Sequence, residues 1–265
     1  MRAINVFILA ACVTMVCFAQ EPLNGKFTVN AQGAQVQFAP GNLQYVPSTN
    51  TWQFAESQTD IIGKDAEYVT DTIDLFPWGD NYGSYIGTGW RLLTDEEWQY
   101  LLREEEIGKG SSYAGQATIG GTQHGLMLVP DGCDTLDFAP SPNNWTTNSY
   151  TTANWEQLKT SGVVFLPCAE ETGMYWSATP DGQSFAYCMN FSVESIAANT
   201  QASRDASFSV RLVKDVKETP TDVEEINNYE LKISNKILRD GMLLIVRDNK
   251  LYNAQGVEVR YIVKP

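Results

Sequence analysis

Few side chains in this 265-residue chain are suited to covalent chemistry, and they are scattered. The one histidine, His124, sits in Gly120-Gly121-Thr122-Gln123-His124-Gly125, a stretch that reads as a loop. A Ser-His-Asp hydrolase would have to be built on it, yet no nucleophile elbow accompanies it. Five cysteines are present. Cys12 and Cys17 fall in the apolar N-terminus, which leaves Cys133, Cys168 and Cys188, an odd number that cannot form a complete disulfide set. Their spacing does not suit zinc. Cys168 and Cys188 lie in or beside strand-like runs, where a buried small hydrophobe is the simpler role and a bridge between the two stays open. Glu170 and Glu171 could serve as paired carboxylates, but adjacent residues on a strand point apart. Asp131, Asp134 and Asp137 are close enough for a weak ion site, without the ligand density of a calcium cage. No metal and no cofactor is expected. What remains is non-covalent chemistry. Asn143, Asn144, Trp145 and Tyr150 bring flat rings together with amides in one turn-rich interval, the composition of surfaces that stack on sugars or grip proteins. Arg204, in the 192–206 segment, is the charged member of this ligand-binding set. The competing role for Trp145 and Tyr150 is to pin the loop to the core.

These residues need elements to hold them. Thr94-Asp95-Glu96-Glu97 opens a helix: the Thr94 hydroxyl suits the Glu97 amide, Glu97 can reach back, and three acids face the positive end of the helix dipole. Trp98, Leu101 and Leu102 then make one apolar face. This predicts a helix over 94–105. A second is predicted over Thr152–Lys159, with Trp155 and Leu158 on one face and Gly162 as the stop. Strands are predicted at 27–29, 36–38, 126–129, 163–166, 175–178, 185–191 and 208–213. The interval 131–152 has turn chemistry and no periodicity, and is predicted to be the long loop. About 190 residues between the ends suit one domain.

The ends differ in style. Residues 1–19 carry Arg2 and an apolar run from Val6 to Phe18, too short to span a bilayer and shaped like a signal peptide cut after Ala19. Leu9-Ala10-Ala11-Cys12 also spells a lipobox, but the core before it is short and Val13–Phe18 is no polar tether, so simple export is favoured over lipid anchoring at Cys12. No other segment is apolar enough to be a membrane-spanning helix. A net charge of −14 argues against nucleic acid or anionic membrane as partners. Residues 215–228 read as an acidic linker. Residues 229–265 read as a β-tail with strands at 242–247, 250–253 and 257–263 and turns at 248–249 and 254–256.

The wording Gly89-Trp90-Arg91-Leu92-Leu93-Thr94-Asp95-Glu96-Glu97-Trp98-Gln99-Tyr100-Leu101-Leu102 resembles a helix of C-type-lectin-like modules related to the formylglycine-generating enzyme fold, of the Fibrobacter succinogenes major paralogous domain type found in secreted Bacteroidetes proteins. Gly41–Tyr45, Thr51–Ala55, Asp74–Gly79, Val164–Pro167, Tyr175–Thr179, Ala186-Tyr187 and Ser209–Val213 extend the resemblance over residues 25–214. The tail is similar to C-terminal β-tails of secreted Bacteroidetes proteins, which implies sorting, anchoring or a structural role. The resemblance implies an α+β, C-type-lectin-like domain with two main helices, short antiparallel strands and long loops, followed by the small β-tail. It does not carry an active site: Trp176-Ser177-Ala178 stands where calcium lectins have Trp-Asn-Asp, and the cysteines do not match the enzyme's motif. The function expected is an exported, cell-surface, non-enzymatic module that binds a glycan or protein ligand, calcium-independently, through long loops. A structural or assembly subunit of a surface appendage is the alternative, and an enzyme comes last.

Overall fold

A computed structural model of the chain describes residues 21–63, 71–79, 81–103, 114–133, 136, 138–139 and 141–217, and, in the C-terminal part, 236–239, 242–247, 250–253 and 257. Contacts divide the chain into two units, 1–216 and 217–265. The signal peptide, Asp134, Asp137, most of the linker and most of the third tail strand lie outside the described residues.

The first unit runs β1 (Phe27–Thr28), β2 (Gln35–Phe38), β3 (Leu43–Val46), β4 (Thr51–Phe54), β5 (Leu75–Phe76), α1 (Gly83–Ile86), β6 (Trp90–Arg91), α2 (Asp95–Leu102), β7 (Ala114–Ile119), β8 (Gln123–Leu128), β9 (Ser149–Tyr150), α3 (Thr152–Thr160), β10 (Val164–Pro167), β11 (Thr172–Asp181), β12 (Phe185–Ser192), β13 (Ile196–Ser203), β14 (Phe208–Ser209) and β15 (Val213–Asp215). Four sheets form, ordered β1-β2-β15-β6, β10-β8-β7-β9, β13-β12-β11-β14-β5 and β3-β4. The second unit contributes an antiparallel meander of β16 (Lys236–Arg239), β17 (Met242–Arg247) and β18 (Lys250–Tyr252).

The expectation of an α+β domain built on two main helices is overturned. The chain is mostly β, with 41% strand against 13% helix. Helix α2 spans eight residues, with Arg103 leaving helical geometry at φ 20°, and α3 spans nine. The strands are longer and more numerous than apolar alternation suggests. β7 (Ala-Gly-Gln-Ala-Thr-Ile) and β13 (Ile-Ala-Ala-Asn-Thr-Gln-Ala-Ser) lack a strand-like hydrophobic pattern. They are strands because β8 offers a continuous antiparallel ladder and β12 one broken only by a register shift between Cys188 and Asn190, and cross-strand pairing overrides weak side-chain preference. The expected strand 208–213 is split: its two ends are β14 and β15, in different sheets. Between them Val210 and Leu212 accept backbone bonds from Leu43 and Ala39, so the segment stitches the β3 edge to both sheets. The interval 131–152 is also less open than expected, because Ser149–Tyr150 pairs in parallel with the end of β7.

Local sequence chemistry explains the α2 region well. Glu97 N–H donates to Thr94 Oγ1 at 3.2 Å and Thr94 N–H to Glu97 at 2.8 Å, which completes the capping box. The same Glu97 carboxylate takes both terminal nitrogens of Arg91, at 2.7 and 2.8 Å, and Arg91 also reaches Asp215 on β15 at 2.7 Å. One carboxylate thus caps the helix and holds it to β6. Trp98, Leu101 and Leu102 enter a core shared with Phe27, Phe38, Leu126, Val164, Tyr175 and Phe191. Two further clusters complete the interior. One lies under α3, around Trp155 and Phe165, and the other around Phe54, Phe76, Trp90 and Trp176.

Among the described residues, no helix is long and apolar enough to cross a membrane.

Candidate functional site

The residues predicted to bind ligand fall in two places. Asn144 folds back on its own turn, its Oδ1 accepting the amides of Thr146 and Thr147 at 3.1 Å. Asn143 Oδ1 accepts from Asn148, whose amide group also donates to the Gln116 carbonyl of β7 and accepts from Ala139. Asn148 is the buried organiser of this turn, and its polarity gave no sign of that role in the sequence. Trp145 is only 5% exposed. Its indole donates to Gly125 carbonyl at 3.0 Å and stacks on His124 at 4.6 Å and 11°. Tyr150 is half-buried against the cluster under α3. These side chains therefore secure the loop. Arg204 lies elsewhere, at the end of β13. Its guanidinium stacks on Trp78 at 4.2 Å and donates to the carbonyls of Phe185 and Gly182. Of the aspartates suspected of binding an ion, Asp131 accepts from Thr28 and Gln35 and so braces β1 and β2.

A cavity of about 530 Å³ opens beside His124, lined by Ile62, Leu75, Gln123, Cys168 and Glu170, among others. Its reactive groups are restrained. The Thr118 hydroxyl donates to Trp145 carbonyl, so at its 2.8 Å contact with His124 Nδ1 it accepts. That makes Nδ1 the protonated nitrogen of the ring. Cys168 Sγ donates to the His124 carbonyl, and burial pushes its thiol up to about 12. Cys188 is likewise buried, donates to Thr200 carbonyl, and is pushed up to about 12. A thiol held protonated is a poor nucleophile. Cys168 and Cys188 are not bridged to each other. Near the cavity, Asp74 accepts the amides of Ile62 and Gly63, and burial raises its pKa above the ordinary range. It acts as a clasp for that turn.

A further place was not singled out by sequence. On the β3-β4 hairpin, Tyr45 and Trp52 are direct cross-strand partners, their rings 4.8 Å apart. Tyr85, on α1, lies flat on Trp52 at 4.5 Å and 7° between planes. Beneath them, Phe76 and Tyr82 close on Trp52 at 5.2 and 6.0 Å. The Tyr82 hydroxyl donates to Pro77 carbonyl, and burial pushes its pKa up to about 12. The result is a ledge of rings that is buried at its base and open at its edge, where Tyr85 is 56% exposed.

Long-range features hold this ledge. Gly83 brings α1 so close to β6 that a Cβ there would meet Trp90 carbonyl oxygen at 1.8 Å. Only glycine permits the approach that lays Tyr85 over Trp52. The root of the hairpin is tied by Arg211, 1% exposed, whose guanidinium donates to Asn42 and Gln58 at 3.2 and 2.8 Å. Asn42 donates in turn to the hydroxyl of Tyr175 on β11. Arg211's partners there are amide oxygens, and burial lowers its pKa to about 10. The cross-strand Tyr-Trp pair just inside the Pro47–Asn50 turn, and Tyr82 and Tyr85 spaced three apart, were the available sequence signals.

Comparison with protein-family models, curated proteins and solved structures finds no match to this chain.

Proposed function

We propose that this chain is an exported, surface-presented, non-enzymatic module that binds a glycan or protein ligand without calcium, and that it does so on the Tyr45–Trp52–Tyr85 ledge. The observation that carries this is the Tyr85 ring, more than half exposed yet stacked flat on a partly buried tryptophan. An aromatic face presented rigidly to solvent contributes binding free energy without an ordering cost. The 131–152 turn is a weaker candidate, because its indole is buried and the Asn144 side-chain oxygen is bonded within the turn. The cavity beside His124 is weaker as a reaction centre, since its thiol is held protonated. The signal-like N-terminus, Arg2 followed by the apolar run Val6–Phe18, supports export.

The test is a screen of the full chain on a glycan array, with surface proteolysis of intact producing cells. Saturable binding, and digestion of the protein on intact cells, are expected. Absence of any bound ligand together with protection from the protease would overturn the reading.

A further inference from the structure

We infer that the ligand of the Tyr45–Trp52–Tyr85 ledge is a neutral pyranose glycan, with one sugar ring seated on the outer face of Tyr85; this rests on the binding-module reading above. Three observations carry the assignment.

The first is shape. Tyr85 and Trp52 are parallel within 7° at 4.5 Å, so the indole takes one face of Tyr85, Tyr82 approaches the ring at a tilt of 59°, and the residue is still 56% exposed. A flat ring of this size matches the C–H face of one pyranose, and it offers apolar contact and the negative face of the aromatic quadrupole to those hydrogens. Tyr45 packs on the same indole with its plane tilted by 37°, which helps hold Trp52 in place beneath Tyr85.

The second is the rim. Neither the hairpin 43–54 nor the stretch 81–89 contains an Asp, Glu, Lys or Arg. Asn50 touches the rings directly, its Oδ1 accepting from the Tyr45 hydroxyl, and Thr51 and Ser84 are the hydroxyl side chains next to Trp52 and Tyr85 in sequence, groups suited to sugar hydroxyls. Two such segments without a charge are unusual in a chain carrying 32 acids and 18 bases. Neither offers a charged peptide an ion-pair partner. The net charge of −14 further disfavours uronic or sulfated chains, whose approach it opposes.

The third is preorganisation. The rings are set by Gly83 packing on Trp90 and by the Tyr45 hydroxyl donating to Asn50 at 3.0 Å, so little freedom remains to be lost on binding.

The experiment titrates the full chain, by calorimetry and tryptophan fluorescence, with β-1,4-linked hexasaccharides of glucose, mannose, xylose and N-acetylglucosamine, and with hexagalacturonate as the anionic comparison. At least one neutral hexasaccharide is expected to bind. Tyr85→Ala should weaken it about tenfold, the loss of one ring stack, while Tyr85→Phe stays within about twofold. Because Tyr85 is exposed, both variants should melt close to the parent. Neutral binding that Tyr85→Ala leaves unchanged would overturn the ledge as the site. Binding of hexagalacturonate alone, or of a protein and no sugar, would overturn the ligand class while the module reading stands. If the array, the hexasaccharides and protein capture all yield nothing, both readings fall.

Discussion

Trp145 illustrates how one residue type supports two opposite roles. In sequence, a tryptophan among Asn, Ser and Thr suits a ligand surface. In the structure its ring is covered, stacked on His124 and hydrogen-bonded to Gly125. Nothing local distinguishes these outcomes, because the covering groups come from β8, some twenty residues earlier. Trp145→Ala is expected to lower unfolding free energy by about 3–5 kcal/mol, measured by urea denaturation. A loss below about 1 kcal/mol would mean that the ring is not core. The thiols make a second prediction at this scale. Cys168 and Cys188 are pushed up to about 12 by burial, whereas an unfolded thiol ionises near about 8.5. The folded protein therefore keeps protons that the unfolded chain releases. The stability contributed is whole below the unfolded value and is lost as pH rises toward 12. Arg211, lowered to about 10, acts in the opposite direction only above that pH. The urea midpoint should thus fall between pH 8 and 10, and the fall should shrink in the Cys168→Ala/Cys188→Ala double variant. An undiminished slope in that variant would contradict the assignment.

At the scale of elements, legibility tracked sequence distance. The α2 start was readable because its capping box closes within four residues, and β8, β10, β11 and β12 because apolar residues recur there at strand spacing. β7 and β13 were not, since their small and polar residues become strands only through their neighbours. The balance of helix and strand departs from expectation for the same reason: α2 stops at Leu102, α3 runs Thr152–Thr160 as its sequence signals, and the strands created by their neighbours outweigh both. The ledge was invisible for a stronger reason. It joins a hairpin and a four-residue helix about thirty positions apart, and its key is Gly83, whose necessity comes from the backbone of Trp90. Gly83→Ala should force α1 off β6, at about 1–3 kcal/mol, and move Tyr85 off Trp52. Thermal melting checks the first effect and near-ultraviolet circular dichroism the second. An unchanged aromatic spectrum with unchanged melting would show that the close approach is dispensable.

For the molecule as a whole, among the described residues, a mostly β scaffold holds Cys168, Cys188 and His124 in internal hydrogen bonds and presents an aromatic edge whose two segments, 43–54 and 81–89, carry no charge, within a strongly acidic chain. Arg211 links that edge to the interior through Asn42 and Tyr175, so the hairpin is fixed to the scaffold rather than free-standing. The central claim is that binding happens at this edge. It is tested most directly by mapping chemical-shift changes in the isotope-labelled full chain as a bound neutral hexasaccharide is added. The account predicts that the largest shifts cluster on Tyr45, Asn50, Trp52, Ser84 and Tyr85. Shifts centred on Asn143–Tyr150 or around His124 and Cys168, with the Tyr85 ring undisturbed, would contradict it.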